Sequence, residues 1–217
     1  MPIAAPLSLA DLFDVLPVES GPLALRRFEE LAGTGDGEWL TLRLMPDLWE
    51  IAIRSNAMEE REAIALMSRL NFIGHSETAY FSDKTRLYPY LDPGGLIYAA
   101  AAPSPLIGTV ASGRRATTLT GMPAGYQLSA GDLFQVVYGT TRRALHEVVD
   151  PVTADGSGDV ASFQVNPPMR AAIDTGDAVS FLKPAAKMKI VPGSLQLEHP
   201  SAVSGRISLT LRQTLGA

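Results

Sequence analysis

Backbone breakers constrain the fold of this chain more than any other feature, since 19 glycines and 16 prolines occur among its 217 residues. Both residues interrupt regular hydrogen bonding, so their frequency favours short strands and turns over long helices. The length allows one large β domain or two small ones, each with a substantial core. We therefore predict a mainly β protein, barrel-like or sandwich-like, that carries one α-helix.

Charge and cysteine content narrow the range of functions. The net charge of −5 argues against a nucleic-acid partner, because neutralising phosphates requires a basic surface. Without cysteine, neither disulfides nor thiolate metal sites can contribute to stability. The N-terminal stretch lacks the basic region of a signal peptide, and the apolar run Leu96 to Ala102 is too short to span a bilayer. We expect no membrane partner, cofactor or metal.

Alternation of apolar and polar residues predicts a first hairpin. Glu38 to Met45 and Leu48 to Arg54 both show the period of two that is typical of half-buried strands. Met45-Pro46-Asp47 between them has the composition of a turn. Gly33 to Gly37 precedes a strand and lacks a Lys-Ser/Thr pair, so it indicates a flexible turn and not a phosphate loop.

A helix is predicted from Ala57 to Ile73. Asn56 can cap its first turn, Glu59 can complete a capping box, and Gly74 suits the position after its last turn. An apolar stripe at helical spacing is expected to pack on the hairpin. The stripe consists of Ile64, Met67 and Leu70, with Leu66 and Ile73 beside them.

The rest of the chain is predicted to form strands and turns. The strand candidates are Ala79 to Ser82, Arg86 to Tyr90, one or more within Leu106 to Leu119, Leu133 to Tyr138, Ala144 to Val149, Val160 to Val165, Ala178 to Leu182, Lys187 to Val191, Ser194 to Glu198 and Gly205 to Arg212. Breakers and small residues between Asp92 and Pro105 indicate a boundary. We expect an N-terminal hairpin-and-helix subdomain, residues 1–95, and a C-terminal β subdomain, residues 96–217, or one continuous domain.

Side chains that could carry chemistry are scattered along the sequence. The spacing of His75, His146 and His199 matches no zinc-hydrolase motif. Most of the acidic residues considered as a glycosidase pair or calcium site adjoin glycine, as turns require. They are Asp132, Asp150, Asp155, Asp159, Asp174 and Asp177. We predict no catalytic, cofactor or metal site, and hence no enzyme.

Exposed aromatic residues are the candidates for ligand or interface contacts. Trp39, Tyr80, Tyr88 and Tyr90 could stack on sugar rings or line an interface, whereas Trp49 is expected to be buried.

The order of several motifs resembles the distal-tail or tail-tip proteins of tailed bacteriophages. The motifs are the Trp-containing strand Leu48 to Ile53, the Ala-rich helix Glu62 to Leu70, the run Gly74 to Asp83, the segments Leu119 to Pro123, Leu128 to Asp132, Asp155 to Val160 and Pro167 to Arg170, and a final strand ending in Leu215. Asn71 to His75 departs from the family pattern, and the residues before Gly33 have no counterpart in it.

The resemblance implies a structural protein of the virion, assembled in the bacterial cytoplasm. Such a protein forms a homo-oligomeric ring, commonly hexameric, that joins the tail tube to the hub or baseplate and receptor-binding proteins. A ring subunit needs two different complementary surfaces, which loops on a β scaffold can supply. The alternatives are a carbohydrate-binding module of the adsorption apparatus, a head–tail or tail-terminator connector, and a hydrolase that uses paired carboxylates.

Overall fold

The computed structural model describes residues 6–33, 35–74, 77–140, 142–201 and 203–215. The protein is mainly β, with 48% strand and 14% helix, and it contains a closed six-stranded barrel, which confirms the expected fold class. A second, open sheet of eight strands lies beside the barrel.

The helices and strands are as follows. The strands are β1 (Val18–Ser20), β2 (Leu23–Gly33), β3 (Trp39–Ser55), β4 (Met58–Glu59), β5 (Ala79–Ser82), β6 (Leu106–Val110), β7 (Ala116–Thr120), β8 (Gln127–Leu128), β9 (Leu133–Tyr138), β10 (Arg142–Val148), β11 (Val152–Thr153), β12 (Val160–Asn166), β13 (Ala178–Ser180), β14 (Ala185–Ile190), β15 (Gln196–Ser201) and β16 (Ser204–Gln213). The α-helices are α1 (Glu60–Ile73) and α2 (Leu96–Ala101), with short π and 3₁₀ turns at Leu9–Phe13 and Pro93–Gly95.

In the order of the chain, the barrel strands lie between two groups of strands that belong to the open sheet. The sheet has the order β1-β3-β16-β14-β5, with β2 beside β3 and with β4 and β15 beside β16. The barrel closes in the order β10-β12-β7-β6-β13-β9, so the chain leaves the sheet after β5 and returns to it as β14. The division expected between residues 95 and 96 does not follow these sheets, because β14–β16 complete the N-terminal sheet and not a C-terminal subdomain.

Most predicted strands are present within a few residues of their expected ends. The alternation in β16 is confirmed in detail, since Ile207, Leu209 and Leu211 are all buried. Two corrections arise from turns. Leu106 to Leu119 forms two strands, β6 and β7, around a turn, and Arg86 to Tyr90 is a loop that forms no strand.

The first hairpin is larger than predicted and turns at a different place. β3 runs continuously through Pro46 and pairs with β2, so the hairpin turn is the glycine-rich segment after Gly33 and not Met45-Pro46-Asp47. Phe28 pairs with Met45 and Arg26 with Leu48, which leaves Pro46 in a bulge. A bulge tolerates proline, because the bulged residue does not donate to the ladder. In a regular ladder the N–H that proline lacks would be missing.

The helix differs from the prediction in its start and its partner. It begins at Glu60, because the preceding Met58–Glu59 pairs with β16 as a strand, and no side chain caps it. It packs on β15 and β16 and not on the β2–β3 hairpin. Ala63, Leu70 and Ile73 are buried, whereas Ile64 of the predicted stripe is exposed. Gly74 follows the last turn with a φ of +60° and a ψ of −158°, so it has the expected positive φ but not the left-handed helical conformation.

Side chains fasten the sheet to the barrel. The indole N–H of Trp49 in β3 donates to the carbonyl of Leu145 in β10, at 2.7 Å. The side-chain oxygen of Gln135 in β9 accepts the amide of Ala185 at the start of β14, at 2.9 Å. Leu133 and Leu145 of the barrel pack in the same apolar cluster as Trp49. These contacts hold the hairpin base in a fixed position against the barrel.

Candidate functional site: an exposed two-stranded arm

The outer part of the β2–β3 hairpin, residues 27–33 and 35–46, forms a two-stranded arm. β16 pairs with β3 only at Glu50–Arg54, so the two strands of the arm pair with each other. Six large apolar side chains of the arm are exposed, namely Leu31, Trp39, Leu40, Leu42, Leu44 and Met45. The arm is therefore an apolar ribbon without cover from the described part of the chain.

The register divides the outer arm into two faces. Leu40 pairs with Ala32 and Leu42 with Glu30, so these residues share one side, here called the leucine face. Trp39 and Thr41 point to the opposite side, because side chains alternate along a strand. Since Thr41 pairs with Leu31, the apolar side chains of Trp39 and Leu31 share this second side, the tryptophan face.

Charged groups fix the base of the arm. The Glu50 carboxylate accepts from Arg212 Nε at 2.7 Å and from an Arg26 amino group at 3.2 Å. The guanidinium groups of Arg26 and Arg212 also lie over the Phe28 ring, 5.6 Å and 5.9 Å from its centroid. The arm consequently leaves the sheet in a defined direction.

A polar cleft of about 390 Å³ separates the arm from the barrel. Arg43 and Asp47 on the arm side form an ion pair at 2.9 Å, and Arg170 donates to the Asp47 carbonyl at 2.8 Å. Arg27 and Arg115 also line the cleft. Because its walls mix both charge signs, the cleft does not select strongly for one kind of ion.

The four aromatic candidates do not form one site. Trp39 lies on the arm and is 72% exposed, whereas Tyr80 in β5 is only 8% exposed, beneath the Arg143 guanidinium at 3.7 Å. Tyr88 and Tyr90 lie in the loop before α2, where Tyr88 is half-buried and Tyr90 is 78% exposed. Of these four residues, Trp39 and Tyr90 present a large aromatic surface to solvent, and they lie on separate elements.

The histidine and aspartate candidates are dispersed over the fold and do not form one site. His146 is fully buried, with Nδ1 2.8 Å from the Pro167 carbonyl, and burial lowers its pKa to about 4. His199 is exposed, 3.9 Å from Glu60, and His75 lies outside the described residues. The carboxylates of Asp155 and Asp177 accept backbone amides within their own turns. Among the described residues, no group of three or more His, Asp or Glu side chains could hold a metal ion.

The segment from residue 90 to residue 97 forms a second exposed apolar surface, here called the platform. Its exposed side chains are Tyr90, Leu91, Leu96 and Ile97. A cavity of about 190 Å³ opens beside it, between Leu91 and Ile97 on one side and residues 123–127 on the other.

Buried carboxylates hold the platform rigid. Asp92 accepts the amides of Ile97 and Tyr98, at 3.0 Å and 2.9 Å, and the Tyr126 hydroxyl, at 3.1 Å. Burial by itself would raise the pKa of Asp92, but these hydrogen bonds outweigh it and lower the pKa. Asp132 accepts the Tyr90 amide at 2.8 Å, and burial raises the pKa of that carboxyl.

No protein-family model matches this sequence, and no curated protein matches it significantly. No helix in the described parts of the chain is long and apolar enough to cross a membrane. The arm and the platform are therefore the candidate functional surfaces on structural grounds alone.

Sequence reasoning found Trp39 and Tyr90 but missed the surfaces to which they belong. The β2 segment, Arg26 to Ala32, has no clear alternation of apolar and polar residues, so its pairing with β3 was not predicted. The signal that could have revealed it is the glycine-rich turn after Gly33, placed directly before the alternating leucines of β3.

Proposed function

We propose that this protein is a structural component of a phage or phage-like tail tip. It assembles with copies of itself into a ring between the tail tube and the hub, and the arm is its principal contact with a neighbouring copy. The observation that carries this proposal is the row of exposed leucines on an arm that the described chain does not cover.

The physical argument concerns the stability of an isolated ribbon. A two-stranded hairpin is marginally stable in water at best, and its apolar side chains gain free energy only when they are buried. Complete burial of one leucine side chain contributes roughly 1.5–3 kcal/mol. Covering Leu40, Leu42 and Leu44 together would therefore stabilise a neighbour contact substantially, whereas leaving them exposed gives no such gain.

The family assignment rests on the ordered motifs that resemble distal-tail and tail-tip proteins. The arm supports the same proposal, because a ring subunit must reach its neighbour through a surface that its own core does not need. The exposed aromatic residues do not favour the carbohydrate-binding alternative, because Trp39 and Tyr90 lie on separate elements.

The proposal is tested by size-exclusion chromatography with light scattering, followed by negative-stain microscopy. The wild-type protein should form a discrete oligomer with a ring-shaped outline. The double variant Leu40→Ser/Leu42→Ser should be monomeric with an unchanged circular dichroism spectrum. Phe72→Ser is the matched control, since Phe72 is an exposed apolar side chain on α1, outside the arm, and its variant should assemble like the wild type.

A wild-type protein that stays monomeric at high concentration, and also when mixed with tail-tube and hub proteins, would refute the proposal. So would assembly that survives the double leucine substitution.

A further inference from the structure

The structure points to the site that receives the arm. We infer that the tip of the arm of one copy docks on the platform of the next copy, with Trp39 inserted into the cavity beside Leu91 and Ile97 and the leucine face lying against the same neighbouring copy. This inference rests on the proposed self-association and adds the identity of the receiving surface.

The first argument is the distribution of exposed apolar side chains. Of the sixteen large ones exposed among the described residues, six lie on the arm and four on the platform. A ring contact is heterologous, so each subunit must offer two different complementary surfaces. The arm and the platform are the two largest groups of this kind, and they lie on different elements.

The second argument is the shape and chemistry of the cavity. Its 190 Å³ corresponds to roughly six water molecules at about 30 Å³ each, a space suited to one large side chain. Leu91, Ile97, Pro123 and Ala124 give it apolar walls. The Asp92 carboxylate is not available to a ligand, because its oxygens already accept three hydrogen bonds from the protein. An apolar group is therefore the ligand that fits.

Trp39 matches this site better than the other exposed side chains of the arm. It lies beside the hairpin turn, at the end of the arm, and is 72% exposed. Tryptophan is enriched among the residues that dominate protein interfaces, where it fills a pocket on the partner. Gln127 lines the cavity, and a glutamine carboxamide oxygen can accept a hydrogen bond from an indole N–H.

The third argument is the negative charge of the arm, which disfavours the alternative contact in which two arms pack against each other. Residues 27–46 include four acidic residues and two arginines, a net charge of −2. Two arms packed together would bring these like charges close, which disfavours association. The platform carries no exposed charge, since Asp92 is its only ionisable acid or base and is buried. An acidic arm therefore meets fewer negative charges on the platform than on a second arm, where four acidic residues would face it.

The platform is also preorganised for binding. Its backbone is fixed by the carboxylates of Asp92 and Asp132, and Gly95 adopts a φ of +66° at a point where an added Cβ would clash with Leu182 and Tyr88. A rigid receiving surface loses little conformational entropy when it binds. Apolar side chains held exposed on such a surface are available for a partner without rearrangement.

Cross-linking between two differently substituted copies tests this inference. The natural sequence has no cysteine, so only the introduced cysteines can react. Thr41→Cys, on the tryptophan face, is mixed with Ala124→Cys, at the cavity, and treated with a short bismaleimide. The expected product is a covalent dimer from the mixture and from neither variant alone. Mixing Thr41→Cys with Ser68→Cys, an exposed position on α1, is the control and should give no dimer.

Two substitutions measure the energetics of the same contact. Trp39→Ala should weaken association by at least about 30-fold, as expected for a residue that dominates an interface. Ala124→Trp should abolish assembly by filling the cavity, whereas Ala124→Ser should assemble normally.

The outcomes separate the inference from the proposed function. If the wild type assembles but the 41–124 pair does not cross-link and Ala124→Trp has no effect, the platform inference is wrong and self-association stands. If Thr41→Cys alone forms covalent dimers, two arms pair with each other and the inference is overturned. If the wild type is monomeric under all conditions, both are wrong.

Discussion

The two halves of strand β3 have the same sequence pattern and opposite surroundings. Leu40, Leu42 and Leu44 alternate with other residues as regularly as Trp49, Ile51 and Ile53 do, yet the first three are exposed and the last three are buried. The inner half has β16 as a second neighbour and the apolar cluster beneath it, whereas the outer half has only β2. Alternation therefore specifies a strand, and only the tertiary neighbours decide whether its apolar face is covered by the same chain.

The largest expected effect separates the two tryptophans of this strand. Trp49→Ala should lower the free energy of unfolding by about 3–5 kcal/mol, because it removes a fully buried ring and leaves a cavity. Trp39→Ala is the matched control and should change the unfolding free energy of the monomer by less than about 0.5 kcal/mol. Urea denaturation at low protein concentration measures both, and similar losses from the two substitutions would contradict this contrast.

Burial should also distinguish two histidines, through the pH dependence of stability. The pKa of His146 is lowered to about 4, so the folded protein cannot take up the proton that the unfolded chain binds near pH 6.5. The free energy of unfolding should therefore fall as the pH drops below about 6.5 and continue to fall to about pH 4. The loss from this residue is roughly 2 kcal/mol at pH 5, given about 1.4 kcal/mol per pH unit.

Urea denaturation at pH 7 and pH 5 tests this dependence. His146→Gln should lose about 2 kcal/mol less than the wild type between these pH values, whereas His199→Gln, at an exposed position, should follow the wild type. Equal pH dependence in all three proteins would show that His146 can be protonated in the folded state.

The smallest effect concerns the junction between the two halves of β3. Glu50→Gln weakens the pairs with Arg26 and Arg212, which are partly exposed, so stability should fall by no more than about 1 kcal/mol. Its consequence should be local, with faster hydrogen exchange in the arm and unchanged exchange in the barrel. Faster exchange throughout the protein would mean that Glu50 stabilises the whole fold and not the base of the arm.

Much of the fold could be predicted from the sequence, because strands such as β16 show clear alternation and the turns have strong glycine and proline signals. The return of β14–β16 to the N-terminal sheet could not be predicted, since β14 pairs with β5 and β16 with β3, and pairing between segments more than 100 residues apart leaves no local pattern. Pro46 was misleading for a similar reason: its local chemistry indicates a turn, and only the pairing with β2 shows a bulge.

The candidate surfaces were less predictable than the fold. Trp39 and Tyr90 were two of the four aromatic residues named as possible contacts, but sequence alone could not show that one is carried by an arm and the other by a rigid platform. Those properties depend on pairing partners, namely the neighbouring strand β2 for Trp39 and the distant Asp132 for Tyr90. Tyr80 illustrates the opposite case, since Arg143 covers it from another part of the chain.

Hydrogen exchange at two protein concentrations tests most directly whether the arm is the association surface. At high concentration the amides of residues 39–45 should be protected, and on dilution to monomer this protection should be lost while Leu48 to Ser55 stays protected. Exchange in the arm that is fast and independent of concentration, in a protein that nevertheless assembles, would contradict the claim that the arm makes the contact.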